Sequence, residues 1–383
     1  MVRARLMDKP EDFQNLGINP DKVELWEGGR RNSDAIGNNE VWYFDGNFDD
    51  GSKVVIGFRP KTVAGMRETG WTPNLNLAIT RPDGTTTQEF TFYDGNDCQM
   101  STEKTDVTYG SDYCRGDFKD YDIHIESTES LACDLHYHAV VEPFRQGTSV
   151  IALGDNDEYY YTDLCVPRCE ITGSLTYDGK TVNVHGYGYH DHQWFNISLF
   201  EAFHHWLWGR MYTEKYTLYI YDFVCSERFD FAKVPFFIVA DNETGKIIFE
   251  TNGNFSRQTE LEMMSVGKAF PKTSHYTFDN GDEKVTFNVT WQQILETRDS
   301  YGIAPANQAE LEKIAKERGL SDMQKVVSTT KEQYDAMGIQ PTYMRFFAEG
   351  EIAVTKDGVT TTSKGDMIYE YNYVGKPDKR AEV

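Results

Sequence analysis

The sequence predicts a mainly β protein of two antiparallel β domains, and three observations predict it. Runs rich in Val, Ile, Tyr, Phe and Thr recur from end to end. Between them stand Asp50-Gly51, Asp83-Gly84, Asp178-Gly179, Asn280-Gly281 and Asp357-Gly358, dipeptides that reach positive φ at little cost in tight hairpins. The length, 383 residues, is more than one small core fills and favours two units.

Residues 42–48 and 53–58, on either side of the first Asp-Gly turn, read as an antiparallel pair. No Pro-, Gly- or Ser-rich linker divides the chain, so the boundary is placed where alternation fails, across residues 195–203. The expected domains are 1–198 and 199–383, with a ligand cleft between them. In the second, a helical insertion spans 305–338. Asn307 caps its first helix, Glu310 sits at the third position, Leu311, Ile314 and Ala315 form an apolar stripe, and Gly319 follows. A second helix covers 329–337. Lying between strands near 285–291 and 344–354, the insertion reads as a lid over one end of a barrel.

The 38 basic and 61 acidic residues leave a formal charge of -23, which repels a phosphate backbone, so no nucleic-acid partner is expected. No run of about 18 apolar residues occurs, so no integral membrane segment is expected. The first eleven residues have no apolar core of a secretory signal, which points to the cytoplasm. Six scattered cysteines read as free thiols, and Cys165-x-x-x-Cys169 lacks a matching second pair for zinc.

Four of the nine histidines and three of the seven tryptophans fall between residues 190 and 208. On a strand, His190, His192 and Trp194 share one face, while Tyr189, Asp191 and Gln193 share the other. Downstream, Trp206, Trp208, Arg210 and Tyr212 again alternate onto a common face. Across 216–224, Asp222 shares a face with Leu218, Ile220 and Val224, where desolvation would raise its pKa and fit it to act as an acid. The bland alternatives are core histidines, core tryptophans and an Asp222 paired with Arg210 or Arg228. A metal held by His190, His192 and either His204 or Asp222 is a further alternative, although no spacing fixes a third ligand and none is expected.

At these residues a family resemblance enters. Gly186-Tyr187-Gly188-Tyr189-His190-Asp191-His192-Gln193-Trp194, with Trp206-Leu207-Trp208-Gly209-Arg210, resembles the Gly-x-Gly-Tyr-His-Asp-His-Asn-Trp-Gly and Trp-x-Trp-Gly-Arg pattern of the carotenoid 1,2-hydratases. That family includes hydroxyneurosporene synthases, kievitone hydratase-like proteins and, more distantly, fungal Diels-Alderases. Glu40-Val41-Trp42-Tyr43-Phe44-Asp45, Asp49-Asp50-Gly51 and residues 365–371 resemble its outer motifs. Gln193 stands where the family has Asn, and Phe195 where it has Gly.

The resemblance implies two lipocalin-like β domains, no redox cofactor and a hydrophobic small-molecule substrate. It implies that His192, Trp194 and Asp222 are catalytic, with His190 beside them. Tyr189, Trp206, Trp208, Arg210, Tyr212, Tyr219, Tyr221, Glu40 and Trp42 are expected to line the substrate. The expected chemistry is hydration, dehydration, cyclisation or isomerisation of an unsaturated terpenoid, polyene or phenolic compound. In it Asp222 protonates carbon, the indoles face the developing cation, and His192 handles the attacking hydroxyl. A pericyclase that folds a polyene, and a carrier that leaves its ligand unchanged, are the competing classes.

Overall fold

The computed structural model describes residues 3–62, 64–155, 157–251, 255–319 and 328–381, and the side chains of these except 162–165 and 255. The strands form two curled antiparallel sheets, each a half-barrel. One has 13 strands, between residues 5 and 195, and the other has 9, between residues 203 and 373. The turns follow from local chemistry. Asp178-Gly179 and Asp357-Gly358 have positive φ at both residues (52° and 69°, 51° and 75°), the backbone whose twist matches that of paired strands.

The first sheet is organised about Lys180–Phe195, which pairs with Asn39–Phe48 on one side and Glu158–Tyr177 on the other. The glycines of its motif permit that pairing. A Cβ on Gly186 would lie 2.1 Å from the Asn47 carbonyl oxygen, and one on Gly188 would lie 2.0 Å from that of Asp45. In the second sheet Phe203–Thr213 lies between Tyr216–Cys225 and Val359–Tyr373.

Three apolar cores follow from period-2 alternation. Trp42, Phe44, Ile56 and Ile171 fill the first half-barrel. Leu207, Met211, Leu218, Ile220 and Phe287 fill the second. Between the half-barrels, Tyr189 and Phe195 of the first sheet pack with Trp206, Trp208, Tyr219, Tyr221 and Phe223 of the second.

The insertion holds helices at Gln308–Arg318 and Lys331–Ala336; residues 320–327 lie outside the described ones. The Asn307 side chain accepts from the Glu310 amide, and Gly319 closes the first helix at φ 67°. Tyr334 and Ile339 enter the inter-sheet core. A helix absent from the sequence reading, Pro10–Leu16, begins with Pro at its first position and ends at a left-handed Gly17.

The sheets are also joined by charge. Arg210 reaches across to Asp45, with Nη2 to Oδ1 at 2.7 Å and Nε to Oδ2 at 3.3 Å, both residues buried. Desolvation lifts the Asp45 carboxyl above its ordinary range even so. Arg210→Met should therefore destabilise the fold by ~3 kcal/mol in urea titrations near neutrality. The loss should shrink as pH falls, because Asp45 can then take a proton instead of standing charged and unpaired.

Candidate active site

The two faces of Lys180–Phe195 serve different surroundings. His190, His192 and Trp194 point into the first half-barrel. Here His192 donates through Nδ1 to the Glu27 carbonyl at 3.0 Å and meets Glu40 Oε1 through Nε2 at 2.6 Å. The Glu40 carboxylate also accepts the backbone amides of Arg31 and Asn32 at 2.8 and 3.0 Å. Trp42 stacks on the His192 ring and bonds the Gly28 carbonyl, while Trp194 stacks on Tyr161. Both imidazole nitrogens and both carboxylate oxygens of the Glu40–His192 pair are therefore engaged in fixing the segment 27–32.

His190 donates through Nδ1 to the Tyr43 carbonyl at 2.8 Å and lies flat on Phe44. Burial pushes its pKa down to about 3, so it is neutral.

The opposite face meets the second sheet. Asp191 is buried there beside Tyr189, with Gln193 half-buried next to them. Gln193 donates through Nε2 to Asp191 Oδ1 at 3.1 Å and accepts at Oε1 from Tyr160. Desolvation pushes the Asp191 carboxyl up to about 8, and the nearby charges of Asp45 and Glu370 add to it, against lowering hydrogen bonds from Tyr189 and Gln193. A carboxylic acid is thus held protonated at neutral pH.

Facing it, the register of the second sheet sets Arg345, Glu370, Trp208 and Tyr221 side by side on consecutive strands. Glu370 Oε2 accepts from Tyr343 and from Arg345 Nη2, the latter at 3.2 Å. Tyr189 donates to Tyr219 at 3.1 Å, and Trp208 packs edge-on against both rings. Tyr212 donates to the carbonyls of Pro167 and Gly188. On the first sheet, Gly57 lacks the side chain that would clash with the Arg59 guanidinium; a Cβ would lie 2.6 Å from its Nη1.

Asp222 is elsewhere. It points into the second half-barrel, where its carboxylate forms an ion pair with Arg257. The sequence reading expected either an isolated carboxyl among apolar side chains or a pair with Arg210 or Arg228. Those two arginines bind Asp45 and Glu158 instead. Strand parity gave the right face, but the partner comes from Phe255–Met263, far along the chain.

The expected site is therefore divided among three places. Tyr189, Trp206, Trp208, Arg210, Tyr212, Tyr219 and Tyr221 come together between the sheets. His190, His192, Trp194, Glu40 and Trp42 occupy the first half-barrel, and Asp222 the second. The same separation dissolves the metal alternative, since His204 bonds His205 and the Lys376 carbonyl. No metal-holding group of three or more His, Cys, Asp or Glu occurs among the described residues.

Asp191, Gln193, Tyr43, Asp45, Glu370 and Arg345, which the sequence reading did not select, also meet between the sheets. The available signal was parity: Asp191 alternates with Tyr189 and Gln193, whereas His190 and His192 drew the reading to the other face. A solvent-open cleft of about 1120 Å³, near Asp8, Phe13, Glu142, Gln146 and Glu250, includes none of these residues. Its lining includes Glu250, whose carboxyl is also pushed up by burial, and the inter-sheet residues lie outside it.

Comparison with known proteins places this geometry in context. The family model of carotenoid hydratase CrtC matches residues 62–257, just over half the chain. Among solved structures, an AttH protein from Nitrosomonas europaea is 16% identical, with TM-score 0.54, over 92% of this chain and 98% of its own. CghA, solved with Sch210972, is 12% identical with TM-score 0.56 over 92% and 95%. Kievitone hydratase from Nectria haematococca is 12% identical with TM-score 0.51 over 92% and 93%. At these identities the likeness is one of fold. No curated protein sequence matches the chain. Among the described residues no helix is long and apolar enough to cross a membrane.

The raised Asp191 pKa has a consequence for stability. Folding increases the proton affinity of this carboxyl from the ordinary 3.8 to about 8. Its contribution is therefore whole below about 4 and is lost progressively as pH climbs to about 8. Asp191→Asn should be little changed in stability near pH 4 and more stable than the parent by ~2–4 kcal/mol near pH 8.5, read by urea unfolding at both values.

Proposed function

Because the chain belongs to the carotenoid hydratase CrtC family, we propose that it adds water, or an internal hydroxyl, to a double bond of a largely apolar small molecule bound between the two sheets, or runs the reverse elimination. The observation that carries this reading is the buried Asp191 carboxyl, pushed up to about 8 beside an aromatic wall.

Asp191 gives its proton to one alkene carbon. The electron-rich faces of Tyr189, Trp208, Tyr219 and Tyr221 stand where the adjacent carbon becomes cationic. The Asp191 carboxylate formed in that step then takes a proton from the attacking water or hydroxyl, so the acid is restored within one turnover. Gln193, itself held by Tyr160, orients the carboxyl. Arg210 and Asp45 fix the two walls relative to each other. No redox cofactor is needed for this scheme, because no electrons leave the substrate.

His192 and Trp194 act at a distance, by holding the strand that presents Asp191. Asp222 has no step in the reaction.

The test is incubation with terpenoid, polyene and prenylated phenolic compounds in deuterated water. Converted product should carry carbon-bound deuterium. Asp191→Asn should lower turnover at least about a hundredfold, and the parent rate should fall above about pH 8 with the slope of one proton. A folded Asp191→Asn protein with full turnover, or product free of deuterium at carbon, overturns the proposal and favours a pericyclic reaction.

A further inference from the structure

Resting on the inter-sheet site as the reactive one, we infer that its substrate carries a carbonyl oxygen, and that the Trp208 indole N–H is the group that grips it. Trp208 is 4% exposed, and its Nε1 is buried without a hydrogen-bond partner among the described residues. An unsatisfied buried donor is costly. Trp208 nevertheless sits in the middle of the wall facing Asp191, flanked across the strands by Tyr221 and Glu370. Its ring packs edge-on against Tyr189 and Tyr219.

A second donor stands in the same row. Arg345, cross-strand from Glu370, binds that carboxylate through Nη2 and leaves Nε buried and unpartnered. A hydrocarbon cannot satisfy either group. A carboxylate would have to share the Arg345 guanidinium with Glu370, which already holds it. A neutral acceptor with two lone pairs, a ketone or aldehyde oxygen, matches one neutral and one charge-bearing donor.

Conjugated to the reacting double bond, that carbonyl would be polarised by the indole and would direct addition. For such a substrate water oxygen joins the carbon β to the carbonyl as the Asp191 proton joins the α carbon, and the Asp191 carboxylate so formed takes the proton of the added water, with no free cation between. In the reverse direction Asp191 gives its proton to the β hydroxyl, which leaves as water, and the carboxylate so formed takes the α proton. Trp208 is thus a binding and specificity residue for the head of the substrate, acting separately from the acid.

The experiment uses β-ionone, an apolar enone, against its deoxygenated hydrocarbon counterpart and a carboxylate analogue of similar size. Binding to the full chain is followed by calorimetry, and the carbonyl stretch of the bound ketone by infrared difference spectroscopy. The parent should prefer the ketone over both others by roughly five- to tenfold, with a lowered stretching frequency. Trp208→Phe, which keeps an aromatic ring and loses the N–H, should erase the preference and return the stretch towards its value in an apolar solvent. Replacement of Trp208 by benzothienylalanine, the same shape with sulfur for N–H, guards against misfolding and should do likewise. Equal binding of ketone and hydrocarbon by the parent, binding of neither, or an unchanged stretch in both variants overturns the inference. Parent protein that keeps the ketone preference but gives product free of carbon-bound deuterium marks failure of the acid assignment alone, whereas deuterated product without the ketone preference marks failure of this one.

Discussion

The alternation of a single strand governs the chemistry of this protein. Lys180–Phe195 lies between two cores, and its side chains are dealt alternately to each. The residues on its inner face bind the chain to itself. Those on its outer face meet a second sheet and form a polar seam within an aromatic core. A shift of one residue in register would exchange the two sets, so the backbone contacts that fix register also fix function. Gly186 and Gly188, which admit the Asn39–Phe48 strand to contact, are among them.

The seam is held by opposite charges and kept dry by aromatic rings. Arg210 and Asp45 span it, and Glu370 gathers Arg345 and Tyr343 on the facing sheet. Among the described residues Asp191 forms no ion pair: the buried Arg59 guanidinium attracts it without pairing, and desolvation still pushes its carboxyl up to about 8, whereas Asp222, equally buried, is paired with Arg257. Two aspartates on neighbouring elements thereby have different roles, set by which cation the fold brings to them.

The histidines show the complementary case. His192 and Glu40 resemble an acid-base pair when seen alone, yet the Glu27 carbonyl and the amides of Arg31 and Asn32 occupy their remaining hydrogen-bonding capacity. Such a pair holds a loop against a barrel. In this chain the His and Trp positions of the motif are engaged in packing and hydrogen bonds within the first half-barrel, and the proposed chemical role falls to the intervening Asp191.

By itself the sequence determined the β architecture, the hairpin turns, the two insertion helices with the caps of the first, the family, and the parity of the strands across 189–194, 206–212 and 216–224. All of these depend on contacts within a few residues or on a period of two, which a linear reading preserves. Only the tertiary structure decided which face of Lys180–Phe195 meets the second sheet, and which arginine neutralises which aspartate. Arg257 is 35 positions from Asp222 and Arg210 is 165 from Asp45, separations over which no local pattern carries information. The choice of Asp191 as the proposed acid rests on those pairings, because a buried carboxyl holds its proton where desolvation outweighs the cations the folded chain brings near it.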